Sequence, residues 1–207
     1  MNKEFWKDKK VLITGHSGFK GAWLSMILNA MGAEVLGISK ETLNNNSELY
    51  SALGINKLYE SHDEDIRNLS GIKKILNDFR PEFVFHLAAQ PLVNESYKDP
   101  LRTWNTNVIG TLNLLESLKE LSKKCAVVLI TIDKVYKNKE WIYGYREIDE
   151  LGGKDPYSAS KAAMELAINS WISSFCGDKN YQTNKLEIAS ARTGNVIGGG
   201  DFSKDRI

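Results

Sequence analysis

The chain has 207 residues, 42% hydrophobic and 26% charged, with 27 Lys and Arg against 26 Asp and Glu for a net charge of +1. This is globular composition, enough for one core or a domain plus part of another, and its interspersed charges argue against a nucleic-acid footprint or a basic membrane-surface helix. No stretch approaches the roughly 18 apolar residues of a membrane span. Residues 1–10 lack an apolar signal core, and Cys125 and Cys176 show neither CxxC nor Cys/His ligand spacing, which fits a reducing, cytoplasmic setting.

Residues 11–14 (Val-Leu-Ile-Thr) form an apolar run suited to a strand buried on both faces. Gly15-His16-Ser17-Gly18-Phe19-Lys20-Gly21 follows, then an apolar, helix-forming stretch over 22–28. Strand, glycine turn and helix give the GxxGxxG spacing its meaning. Gly15 makes the tight turn, Gly18 lets backbone approach a pyrophosphate, and Gly21 lets helix pack on strand with its N-terminus facing negative charge.

A second strand is expected over 33–39. Where a dinucleotide site usually carries an acidic residue for the adenosine ribose, this chain has Ser39 and Lys40, which leaves NAD and NADP both open. The 47–56 stretch reads equally as a short helix or an irregular excursion. Asp65 and Ile66 either flank an adenine ring or belong to a charged loop ahead of a helix over 69–79.

Arg80-Pro81 stops that helix, and 83–89 reads as a strand ending in small residues, Ala88 and Ala89, that leave room for a ligand. His86 within it is a packed core histidine rather than an acid or base. A break at 97–100 precedes a helical rhythm over 103–121, in which Asn107 is suited to bridge helix backbone and site by hydrogen bonds.

A buried strand over 126–131 delivers Asp133 and Lys134 to the same carboxyl edge, an acid/base pair if buried and a surface ion pair if not. The aromatic, charged loop up to Asp155 is long enough to suggest function. Over 155–174 a helix begins with Asp155 as cap and Pro156 in its first turn. Tyr157 and Lys161, four apart, share a face of it, and the ammonium favours phenolate, making tyrosine a usable base. A last strand over 186–192 ends in the glycine-rich segment 193–201. His16, His62 and His86 show no metal-ligand spacing.

In order and interval, GHSGFKG, HLAAQ, NVIGT, DKVY, YxxxK and ARTGNVIGGGDF resemble the extended short-chain dehydrogenases/reductases, and among them the nucleotide-sugar 4,6-dehydratases. The resemblance implies a doubly wound parallel α/β sheet of Rossmann type over residues 1–192, with 193–207 the start of a substrate-binding lobe that is otherwise largely absent. It implies NAD as cofactor, held by Gly15, Ser17, Gly18, Phe19 and Gly21, by Asp65 and Ile66, by Ala88, Ala89, Gln90 and Asn107, and by Tyr157, Lys161 and Arg192. It implies CDP-glucose as substrate, dehydrated by Tyr157, Lys161, Asp133 and Lys134 and bound by Asn195, Asp201 and Arg206. It also implies a homodimer through a four-helix interface formed by 103–121 and 155–174, with no nucleic acid, membrane or metal partner. Family members place Ser or Thr before the aspartate, whereas this chain has Ile132, and strand alternation turns Thr131 to the other face. A sugar-nucleotide epimerase, a reductase, or a non-catalytic dinucleotide-binding fragment are the alternatives.

Overall fold

The computed structural model describes residues 2–40, 49, 52–54, 57–176 and 185–201. Most of the 47–56 stretch and Arg206 lie outside them. Strands β1 (Lys10–Thr14), β2 (Glu34–Ser39), β3 (Glu60–Asp63), β4 (Phe83–His86), β5 (Cys125–Ile130) and β6 (Leu186–Ala191) form one sheet. Every pairing is parallel, in the order β3-β2-β1-β4-β5-β6. The order reverses between β1 and β4, the position at which doubly wound sheets open a crevice at their carboxyl ends.

Parallel strands need crossovers, and helices supply them on both faces. After a short α1 (Lys3–Trp6), α2 (Phe19–Ala30) joins β1 to β2, and α3 (Leu69–Phe79) joins β3 to β4. Between β4 and β5 run α4 (Val93–Lys98), α5 (Pro100–Trp104) and α6 (Gly110–Leu118), and α7 (Pro156–Phe175) joins β5 to β6. Alternation along β1 sends Val11 and Ile13 to one face with Leu28 and Val35, and Leu12 to the other with Leu76, Leu115, Met164 and Ile168. Both sides of β1 are therefore dry.

Two elements differ informatively from the sequence reading. β4 ends at His86 rather than 89: β1 turns away at Gly15, so Ala88 N–H bonds the Thr14 hydroxyl at 3.2 Å in place of a ladder carbonyl. The helix expected over 103–121 begins at Pro100, capped by Asp99, whose side chain accepts from Arg102 N–H, and ends at Leu118. It is interrupted by a π-helical turn, Asn105–Ile109, of the kind that gathers at functional sites. The wider turn leaves Asn107 fully buried beside β4.

Among the described residues, no helix is long and apolar enough to cross a membrane.

Candidate active site

The carboxyl ends of β1, β2, β4, β5 and β6 deliver the sequence-predicted residues to one edge. At the end of β1, Gly15 has φ +72° and lies so close to β4 that a Cβ there would come within 2.6 Å of Ala88 N. A Cβ on Gly21 would meet Gly15 O at 2.1 Å, so helix and turn touch backbone to backbone. Gly18, the N-cap of α2, has room for a Cβ (3.4 Å from Gly15 O) and makes no side-chain cap. The first-turn amides of a twelve-residue helix thus face the crevice uncapped by side chain, the donor set a pyrophosphate requires. A dinucleotide fits this cradle.

Ser17 N–H donates to Ser39 Oγ at 3.3 Å, tying the glycine turn to the end of β2. Lys40 lies 3.8 Å from Asp65, whose carboxylate is also gripped by Arg67, at 2.9 Å to Nε. The Arg67 hydrogen bond holds Asp65 below the usual carboxylate range. Ile66 turns inward, 5% exposed, against Gly110.

After β4, Gln90 spends its side chain on the loop, donating to Thr103 Oγ1 at 2.8 Å and Leu92 O at 3.1 Å. Its backbone N–H donates to Asn107 Oδ1 at 2.9 Å, and Asn107 Nδ2 donates to Gln90 O at 3.3 Å and Ser160 Oγ at 2.8 Å. Asn107 therefore joins the strand end carrying Ala88–Gln90 to the helix carrying Tyr157.

That helix is set by a capping box: Asp155 accepts from Tyr157 N–H at 3.0 Å and Ser158 N–H at 2.9 Å, and Ser158 Oγ returns to Asp155. Tyr157, half-buried, is bonded through its carbonyl to Ser160 Oγ at 2.7 Å. Lys161 is 4% exposed and donates to Ile130 O at 3.4 Å. Burial pulls its pKa down to about 7, with Lys20 acting in the same direction and Glu165 opposing. Near neutral pH Lys161 is poised between ammonium and amine, so its hold over a tyrosine proton depends on how the site is filled.

Asp133 and Lys134 begin a 3-10 turn after extended Ile132. Their charges sit 3.6 Å apart, with side chains 54% and 57% exposed. Thr131 donates to Glu165, on the helix that carries Tyr157 and Lys161, at 2.6 Å. Arg192, expected at the cofactor, donates from its guanidinium to Glu165, at 2.8 Å from Nε to Oε1. Asn195 is exposed and Asp201 half-buried in the segment after β6. That segment folds back over α2, where Trp23 Nε1 donates to Gly199 O at 3.0 Å. A cavity of about 330 Å³ results, lined by Phe19, Lys20, Trp23 and residues 196–199.

Sequence reasoning missed Glu165 and Lys20. The spacing of Glu165 from Lys161, one helical turn, was the available signal.

The family model described as GDP-mannose 4,6 dehydratase matches residues 12–177. The CDP-glucose 4,6-dehydratase of Salmonella typhimurium is 48% identical over all 207 residues, which cover 57% of that protein. UDP-glucose 4-epimerase of Thermus thermophilus, solved with NAD, superposes with TM-score 0.72 at 28% identity over 88% of this chain and 54% of its own. A UDP-N-acetylglucosamine 4-epimerase from Methanobrevibacter ruminantium, solved with UDP-N-acetylmuramic acid, gives TM-score 0.76 at 27% identity over 97% and 60%. The chain thus spans a little over half the length of these relatives.

Proposed function

The chain belongs to the GDP-mannose 4,6 dehydratase family, and from that membership we propose that it forms the dinucleotide-binding part of a lyase converting CDP-glucose to CDP-4-keto-6-deoxyglucose with NAD. The observation that carries the reading is the meeting, at one sheet edge, of Tyr157 and Lys161 from α7 with the Asp133–Lys134 turn from β5. A site that only bound a dinucleotide would need the first pair at most. The choice of CDP-glucose is supported by the 48% identity to a protein of that name.

The glycine turn and the first turn of α2 would hold NAD, which would supply a reversible two-electron acceptor for the sugar. Tyr157 takes the proton of the 4-hydroxyl, and Lys161 holds the ribose and favours the tyrosinate. The ketone acidifies the carbon-5 proton. Lys134 takes that proton while Asp133 gives one to the departing 6-hydroxyl, and Lys134 gives its proton back to carbon 5 as hydride reaches carbon 6. With the 4-hydroxyl proton left on Tyr157, the sugar loses only the atoms of water. Both side chains are more than half exposed, so bound sugar must displace water around them before either transfers a proton.

We assign residues 1–192 to dinucleotide binding and 193–207 to the start of the substrate lobe, with Asn195, Asp201 and Arg206 toward substrate. We also assign self-association to the face formed by α5, α6 and α7, where Leu101 and Leu166 are 77% and 60% exposed. We assign the chain to a reducing, cytoplasmic setting, a reading supported by the free thiols of Cys125 and Cys176.

The test is mass-spectrometric detection of water loss from CDP-glucose with added NAD. Asp133→Ala and Lys134→Ala each abolish it while leaving NAD affinity intact; turnover that survives both changes would refute the assignment.

A further inference from the structure

Glu165 has no part in the chemistry just described, yet it is 1% exposed on the helix that carries Tyr157 and Lys161. Its carboxylate accepts from Thr131 Oγ1 at 2.6 Å and from Arg192 through Nε at 2.8 and 3.0 Å and Nη2 at 2.5 Å. Thr131 is where β5 gives way to the Asp133 turn, and Arg192 is the first residue after β6. The two strand ends are also sewn together by backbone: Thr131 N–H donates to Ala191 O at 2.9 Å and Asp133 N–H to Thr193 O at 3.0 Å.

Beyond the carboxylate, Arg192 reaches outward. Its Nη1 donates to Glu147 O at 3.1 Å, and its guanidinium lies 4.7 Å from the ring centre of Tyr136, which stacks on Tyr145 at 5.0 Å. One buried carboxylate therefore joins the helix bearing Tyr157 and Lys161, the strand end bearing Asp133 and Lys134, and the loop between Tyr136 and Asp155.

A buried ion pair is a poor source of stability, since desolvation of the two charges offsets most of their attraction and an apolar pair of similar volume serves as well or better. What a guanidinium fork on a carboxylate provides is direction. Backbone pairing fixes β5 to β6, but among the described residues the Thr131–Glu165–Arg192 cluster is what fixes both strand ends to α7 by charge-assisted bonds.

We propose that Glu165 and Arg192 are positioning residues that hold the Asp133–Lys134 turn in register with Tyr157 and Lys161, so that water elimination and carbon-4 oxidation act on one bound sugar. The chemical half rests on the dehydratase reading; the geometric half is measurable without it.

The variants are Glu165→Gln, Arg192→Lys, which keeps the charge but loses the fork, and the double change Glu165→Leu with Arg192→Met, which removes both charges and so avoids an unpaired buried ion. Hydrogen exchange is followed at residues 131–136 and 147–152, with β1 and β2 as internal reference, alongside NAD affinity and water loss from CDP-glucose. The expected result in the double variant is exchange at 131–136 at least roughly tenfold faster with β1 and β2 unchanged, and water loss at saturating NAD down by roughly a hundredfold, as a displacement of about 1 Å produces. Arg192→Lys falls between this and the parent. Unchanged exchange at 131–136 in a folded double variant overturns the proposal, as does a rise shared equally by β1 and β2. Faster local exchange in a protein whose parent never consumes CDP-glucose refutes the dehydratase reading and leaves the geometric inference standing.

Discussion

Thr14 Oγ1 and His86 Nδ1 stand 2.7 Å apart across the β1–β4 pair, the first link of a buried chain whose direction is fixed at its other end. Thr111 Oγ1 donates to Asn107 O at 2.7 Å, so at 2.9 Å it accepts from His86 Nε2–H. Nδ1 is then the acceptor, Thr14 gives it its proton, and the same hydroxyl accepts Ala88 N–H. A neutral imidazole of one tautomer thus supports the strand end beside the glycine turn. It shares Asn107 with the amide bridge to Gln90 and Ser160.

Burial depresses His86 to about 3 and His16 to about 4. Between those values and the ordinary one near 6.5, the unfolded chain binds more protons than the folded chain, so stability is lost as pH falls below about 6.5. His86→Gln should flatten that loss between pH 6.5 and 4.5, with only the His16 share remaining, and lower stability at pH 7 by about 1–3 kcal/mol through broken hydrogen bonds. Urea unfolding across that range decides it; an unchanged slope refutes the assignment of a buried neutral His86.

Lys161 titrates the opposite flank. Its folded value near 7 lies below its ordinary 10.5, so the unfolded chain again binds the extra proton, now between pH 7 and 10.5, and stability rises with pH through that window. Lys161→Met removes a desolvated cation. It should stabilise the dinucleotide-free chain at pH 6–7 by a few kcal/mol and abolish its share of the alkaline rise, while ending turnover. Parent and variant melting curves of identical pH dependence would show that Lys161 is not desolvated.

The inner strands were readable because parallel strands buried on both faces are nearly unbroken apolar runs, and the helix over 156–175 because Asp155 caps it. What escaped was relational. Arg192 is one residue past a strand whose end meets α7, and no local pattern says that its guanidinium meets Glu165, 27 residues earlier. Asp133 and Lys134 announce a charge pair in sequence, but whether they are dry depends on what covers the turn, and the structure leaves them more than half exposed.

Gly18 and Gly21 should separate folding from binding. A methyl on Gly21 would strike the Gly15 carbonyl at 2.1 Å, so Gly21→Ala forces α2 off β1 and costs at least about 2 kcal/mol of stability. At Gly18 the space is ordinary. Gly18→Ala should melt within a degree or two of the parent yet weaken NAD roughly tenfold or more, since the methyl enters the path of the pyrophosphate. Calorimetric melting with dinucleotide titration checks both, and undiminished affinity in Gly18→Ala would remove the diphosphate from this turn.

Ile132 places a branched alkyl group between Thr131, which is bonded to Glu165, and Asp133. The family resemblance implies a hydroxyl at this position, and a well-placed donor to a developing oxyanion is worth on the order of a hundredfold in rate. Ile132→Thr should raise water loss from CDP-glucose by about tenfold or more with KM little changed. A fall, or a gain confined to KM, would mean that the side chain does not face the sugar oxygen.

Self-association can be tested on the helical face. Leu101 on α5 and Leu166 on α7 expose 77% and 60% of their surface, joined by Ile109 at 46% and Trp104 at 40%, and α5 packs directly against α7. Large apolar side chains scattered singly are unremarkable on a protein surface, but covering these with a second copy would return about 25 cal/mol for each Å² removed from water. In a two-fold dimer each meets its counterpart or a neighbour, so one charge on each chain is counted twice at the interface. Leu166→Glu should therefore convert a dimer to a monomer in light scattering, without lowering the melting temperature measured at high dilution, where the parent is already dissociated. A parent that is monomeric at all accessible concentrations, or a Leu166→Glu chain that still dimerises, would place the interface elsewhere or nowhere.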